Sequence, residues 1–323
     1  MLSFVAQRIA KGVVVLLAII VLNFFLIRLA PGDPATVMAG EAGASDKVFV
    51  EQLRHKFGLD RPLPEQLLIY VKGIATLDLG FSFRQQAPVA QLIAERLPAT
   101  LLLTLSAFAI SLTLGIVFGV LAARFAGTFL DTAITVLALI FYATPIFWIA
   151  LIAILFFSVW MDWLPSFGYE TVGANYTGFH HVLDVGAHLI MPAATIGLFF
   201  MATYTRMTRA SMLEVGRQDF VKTARAKGLR DGLIQRRHIL RNALLPVVTL
   251  AGVHSGTLVG GAVITETVYA WPGIGRLMYE ALLQRDYNLL LGVFVVCSAM
   301  VLIFNLVTDL VYRLVDPRIE FSA

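Results

Sequence analysis

Disulfide chemistry is all but absent from this chain. Its 323 residues include one cysteine, Cys297, set in an apolar run. A lone cysteine makes no intrachain disulfide and reads as a small core or lipid-facing residue. Charge is scarce too, at 14% of residues against roughly 25% in an ordinary soluble domain. No spacing of cysteine and histidine suits a zinc site. No glycine-rich loop of the Walker type is present, so any ATP use belongs to another chain. The apolar runs hold no array of paired acids for a proton relay, and no Ser/His/Asp or metal-ligand grouping that would suggest an intramembrane enzyme. A stand-alone channel or secondary carrier would need internal repeats or midplane ionisable sites, and neither is evident.

What fills the chain is apolar. Hydrophobic residues make up 58% and the mean hydropathy is +0.80. They come in runs that approach the roughly 20 residues needed to cross a bilayer. The pattern predicts an all-α polytopic membrane protein with six transmembrane helices. The expected spans are Ile9 to Ala30, Thr100 to Ala123, Thr132 to Trp160, His188 to Tyr204, Ala243 to Val268 and Leu289 to Val311. The first is too long for the apolar core of a signal peptide, and LAPGDP after it offers no clean cleavage site. The organisation that follows is an N-terminal membrane helix over 1–30, an extracytoplasmic loop with short helices over 31–98, a five-helix core over 99–312 and a tail over 313–323.

Charge sign gives an orientation. Met161 to Ala187 contains no Lys or Arg, whereas Thr205 to Asn242 contains Arg206, Arg209, Arg217, Lys222, Arg225, Lys227, Arg230, Arg236, Arg237 and Arg241. The positive-inside rule puts the basic loop in the cytoplasm. With six spans, both termini are then cytoplasmic. The net charge of +4 is explained by this bias, so no nucleic-acid partner is expected; the lipid bilayer is. In the first loop, DKVFVEQLRHKFGL and PEQLLIYVKGIA have mixed helical spacing. They read as a small cap or as a docking surface.

Small residues and prolines punctuate the spans. Gly252, Gly256 and Gly260 form a ladder on one face of the fifth, and Gly115 and Gly119 lie in the second. Such spacing lets helix backbones approach closely. It fits packing within the chain, packing against a second membrane subunit, or a pathway lining. His254, in the same span, reads as a helix-to-helix hydrogen-bond partner. Glu266 and Asp309 are intramembrane acids close to the interfaces, with structural and functional roles both open. Pro145 and Pro192 are expected to kink their helices, and Pro246 to lie near a helix start, where its missing N–H costs little.

The basic loop is more than a polybasic tail. Val221, Lys222, Thr223, Ala224, Arg225, Ala226 and Lys227 mix small, apolar and charged residues, and Gly228 supplies a stop signal. A short helix from about Gln218 to Lys227 is predicted, with a second, IQRRHILRNALL, running into the fifth span.

TARAKGL followed by LRNALLP resembles the cytoplasmic loop of binding-protein-dependent ABC importer permeases. LAPGDP, FGLDRPL, LDLGFSF, RMTRASMLEV, ITETVYAWPGIGRL and QRDY match, in order, the first permease subunit of the dipeptide, oligopeptide, glutathione and nickel group. The resemblance covers nearly the whole chain. Lys222, Thr223 and Ala224 stand where the general loop has Glu-Ala-Ala, and Asn288 where the group commonly has Pro.

The resemblance implies a type I ABC importer permease (MetI-like) fold in a bacterial inner membrane. It implies a second permease subunit forming a heterodimer, two cytoplasmic ATPases and an extracytoplasmic solute-binding protein. ATP and Mg would be held by the ATPases, with no cofactor on this chain and no enzymatic activity of its own. Val221 to Gly228 would be the coupling helix. The expected cargo is a dipeptide or short oligopeptide, with a nickel chelate or glutathione as the alternative.

Overall fold

A computed structural model describes residues 2–29, 36, 39–40, 47–56, 60–82 and 84–315. It is helical almost throughout. Four helices are long and apolar enough to cross a bilayer: Ala6–Leu26, Val89–Arg124, Phe179–Gly216 and Tyr287–Thr308. A bent pair, Phe129–Ala143 with Ile146–Trp160, makes a fifth candidate. The expected fifth span is a 29-residue helix, Leu240–Val268, several of whose side chains lie outside the described residues. These candidates therefore number four or five among the described residues, one or two short of the expected six.

The third span differs most from expectation. In place of one helix over Thr132 to Trp160 there are two, bent by 104°. The cause is local. Proline disfavours the helical conformation in the residue before it, and Thr144 is extended at φ −85, ψ 133. Pro145 then becomes the cap from which Ile146–Ala153 restarts, and its carbonyl accepts from Trp148 N at 3.0 Å. The new helix runs on as a π-helix over Ile154–Trp160.

Pro192 behaves otherwise. It lies inside Phe179–Gly216, an unbroken helix of 38 residues. At roughly 1.5 Å per residue this helix is about 57 Å long, nearly twice the ~30 Å hydrocarbon core. It extends well beyond the expected span His188 to Tyr204, into both flanking connections. Pro246 also falls inside a helix, because the π-helix Ile234–Ile239 runs directly into Leu240–Val268.

The chain divides into two compact units. One comprises 1–99 and 273–303. It holds Leu2–Leu29, Lys47–Lys56, Leu63–Ala75 and a two-stranded antiparallel hairpin, Phe81–Ser82 with Ala87–Pro88. It also holds Ile274–Gln284, a helix the hydropathy pattern did not announce. Here the LDLGFSF and QRDY segments meet. Ser82 Oγ donates to the buried Asp286 carboxylate, whose other oxygen accepts from Leu289 N at 3.1 Å. Asn288 donates from Nδ2 to Phe81 O at 3.1 Å.

The second unit comprises 100–272 and 304–323 and is built on the Phe179–Gly216 helix. Gly115, Gly119 and Gly197 explain how closely its helices approach. A Cβ on Gly115 would stand 2.4 Å from Tyr204 Cβ, and one on Gly119 2.4 Å from Thr208 Cβ. One on Gly197 would meet Ile110 Cγ2 at 2.7 Å. At the other end, Tyr269 is buried with Ala150, Ile154 and Met191. Its hydroxyl lies 2.9 Å from Thr195 Oγ1 and donates to Ala150 O at 3.3 Å.

Candidate interaction surface

The basic loop begins where the long helix stops. Gly216 is its last residue, and Gln218 is extended at φ −72, ψ 155. The chain then turns into the helix Asp219–Ala226. Asp219 in the first turn suits the positive end of the helix dipole. The C-terminus is a Schellman motif. Gly228 N donates to Arg225 O at 2.9 Å and Leu229 N to Ala224 O at 3.3 Å. Gly228 holds φ +75, a conformation glycine adopts without the Cβ penalty. Nothing would touch a Cβ there within 4 Å, so the backbone alone requires the glycine.

This helix has two faces. Val221 and Ala224 point inward, packed with Met212, Ile234, Ile239 and Ala243. Burying a valine contributes about 2 kcal/mol, which seats the short helix on the end of the long one. Ala224 packs on that same inner side. It is small because Met212 and the Ile234–Ile239 segment close over it.

Lys222, Thr223, Arg225, Ala226, Lys227 and Gly228 are exposed. Beside them stand three apolar side chains. Phe220 is 39% exposed, Leu229 38% and Leu233 45%.

The charges are partly matched. Lys222 Nζ lies 2.8 Å from Asp219 Oδ1 and Arg225 Nε 3.4 Å from Asp231 Oδ1, all on exposed side chains. Such pairs contribute little to stability. Arg230, Arg236, Arg237 and Arg241 are exposed around them. The surface is an apolar group in a basic rim.

The other singled-out residues lie elsewhere. A Cβ on Gly252 would meet Thr308 Cγ2 at 1.8 Å, so this glycine serves packing within the chain. Gly256 is half-buried; Gly260 is on the helix, but its surroundings lie outside the described residues. His254 is half-buried, with its ring 5.5 Å from that of Phe200 and 5.7 Å from that of Tyr204. Glu266 is fully buried and accepts from Thr100 Oγ1 at 2.7 Å. The side chain of Asp309 is outside the described residues.

The family described as "Binding-protein-dependent transport system inner membrane component" matches residues 115–321, and its N-terminal counterpart matches residues 1–104. The di/tripeptide transport system permease protein of Pseudomonas aeruginosa is 40% identical, over 99% of both chains. The oligopeptide transport system permease protein of Bacillus subtilis is 38% identical, over 99% of this chain and all of that one. The dipeptide transport system permease protein of Escherichia coli is also 38% identical, over 99% of both. Among solved structures, a chain of the MetNI methionine ABC transporter aligns with a TM-score of 0.57. It is 21% identical and covers 70% of this chain and 97% of its own length, a likeness of fold.

Proposed function

We propose a peptide-import role on one premise: this chain belongs to the binding-protein-dependent transport system inner membrane components. It is the permease subunit of an ABC importer, a multi-pass protein of the inner membrane, and its cargo is a dipeptide or short oligopeptide. The observation that carries this reading is identity of 38–40% along the full chain to permeases named for such peptides.

The finer mechanism is our inference from the loop geometry. A second permease subunit completes the pathway. Two ATPases, holding ATP and Mg, dock under the basic loops, and a solute-binding protein delivers the peptide on the opposite side. The helix Asp219–Ala226 couples the parts. Its outward face, with Phe220, Thr223, Ala226 and Leu229, enters the ATPase, and Val221 and Ala224 fasten it to the long helix. Closure of the ATPases on ATP then displaces the long helix. The absence of Lys and Arg from Met161 to Ala187, and their density in Thr205 to Asn242, support a cytoplasmic position for the loop.

Two measurements test these claims. The first is a binding assay on the cognate binding protein with a dipeptide and tripeptide panel, glutathione and a nickel chelate. Peptide capture is expected; capture of only the other two would remove the peptide assignment. The second addresses orientation. Single cysteines at Gly173, which holds φ +82 in an exposed turn, and at Gly232, both with open space around an added Cβ, are probed in a Cys297→Ala background with an impermeant thiol reagent. Labelling at 173 and protection at 232 are expected in intact cells, and the reverse would invert the topology.

A further inference from the structure

The Phe179–Gly216 helix carries a second attachment near its basic end. Arg209 meets Asp131, in the first turn of Phe129–Ala143, through two parallel bonds: Nε to Oδ1 at 2.6 Å and Nη2 to Oδ2 at 2.7 Å. This fork geometry fixes the direction of the contact as well as its length. Asp131 Oδ2 also accepts from Gly127 N at 2.9 Å. Gly127 has φ +80, and Thr128 N donates to Phe125 O at 3.1 Å. One carboxylate thus gathers the whole turn after the Val89–Arg124 helix and hands it to the long helix.

The pair differs in kind from the loop's other ion pairs. Asp131 is only 5% exposed, and a buried carboxylate that loses its partner is left uncompensated. Arg209 also stands one helical turn before Met212, which packs against Val221 and Ala224. The same stretch of helix therefore grips the short helix by apolar contact and the turn 125–131 by charge. Val120 and Ala123, just before that turn, pack on the same apolar cluster.

We propose that Asp131 and Arg209 are positioning residues. Their clasp makes the turn 125–131 travel with the coupling helix, so that a push on the loop reaches the Phe129–Ala143 helix as well as the long one. The proposal rests on the coupling role assigned above. It concerns which parts of this chain move together, and that can be measured without knowing the cargo.

The experiment uses the complete reconstituted importer in a Cys297→Ala background. Spin labels are placed at Phe129→Cys, 88% exposed, and Arg217→Cys, an exposed position at the end of the long helix. The distance between them is read without nucleotide and with ATP trapped by vanadate. The clasped protein is expected to give the same distance in both states. Arg209→Ala is expected to shift or broaden it on trapping. The exchanged pair, Asp131→Arg with Arg209→Asp, is expected to restore a constant distance. Arg209→Lys keeps the charge without the fork and should shift less than Arg209→Ala; it carries the test if the alanine variant does not assemble. A distance that changes with nucleotide in the clasped protein, or stays constant in both Arg209 variants, overturns the clasp. The coupling role is decided separately, by the ATPase response of Gly228→Val described below.

Discussion

Gly119 and Gly228 are both glycines beside the basic loop, and they are glycines for opposite reasons. At Gly119 the backbone is helical and space is missing: an added Cβ would lie 2.4 Å from Thr208 Cβ and 2.8 Å from Thr205 O. At Gly228 the space is open and the backbone is the constraint, at φ +75. One site is held by its neighbour, the other by its own dihedral. A small residue in this chain therefore says nothing of its role until its surroundings are known. Ala224 makes the same point, since its smallness answers to Met212 and Ile234.

The comparison breaks most visibly at Gly119. Gly119→Leu drives a side chain into backbone and threonine atoms that have no free rotamer to yield. Overpacking of this kind costs about 1–3 kcal/mol and occasionally more. We expect a lower recovery of assembled complex and a lower unfolding temperature in detergent. A variant as stable as its parent would mean that the Val89–Arg124 and Phe179–Gly216 helices do not meet at Gly119.

Gly228→Val should do less to the fold and more to the function. A β-branched residue in the left-handed region costs roughly 1–2 kcal/mol, and the motif that ends the short helix is exposed. We expect normal membrane insertion with loss of the ATPase stimulation given by the loaded binding protein. Gly228→Asn, which visits this region more readily, should retain part of it. Full stimulation in the valine variant would confine the loop to anchoring topology.

Replacing Phe220 and Leu229 together by alanine removes two of the three outward apolar side chains while sparing Val221, Ala224 and Leu233. The expected result is weaker association with the ATPase, read as loss of co-purified ATPase at unchanged permease stability. Co-purification at the parent ratio would move the contact to another part of the loop. The smallest effect is expected from Arg236→Glu. Its side chain is exposed, and such substitutions usually change stability by less than about 0.5 kcal/mol. Stimulated ATP hydrolysis should stay near the parent rate; a large loss would show that the basic rim carries the contact itself.

Much of the loop was legible because its signals are local. Gln218 to Lys227 was predicted as a helix stopped by Gly228, and Asp219–Ala226 is observed with Gly228 in the left-handed region. The run from IQRRHILRN into the next span was legible too, though its π-helical start was not. The faces of the short helix were harder to assign. Val221 and Phe220 are adjacent apolar residues, and which of them turns inward depends on Met212, Ile239 and Ala243, distant in sequence or beyond the turn.

The two prolines show the boundary between what sequence and structure decide. Each stands in an apolar run, and from composition alone both are expected to kink their helices. At Pro145 the preceding Thr144 is only half-buried and takes an extended backbone, and the span breaks. At Pro192 the preceding Met191 is buried against Ala150, Ile154 and Tyr269, and the helix continues. The sequence by itself determined the membrane class, the asymmetry of charge and the stop at Gly228, because hydropathy, charge and backbone dihedral are properties of residues and their near neighbours. Only the tertiary structure decided which proline bends, which glycine is crowded and which carboxylate Arg209 meets, because each depends on atoms brought together from distant parts of the chain.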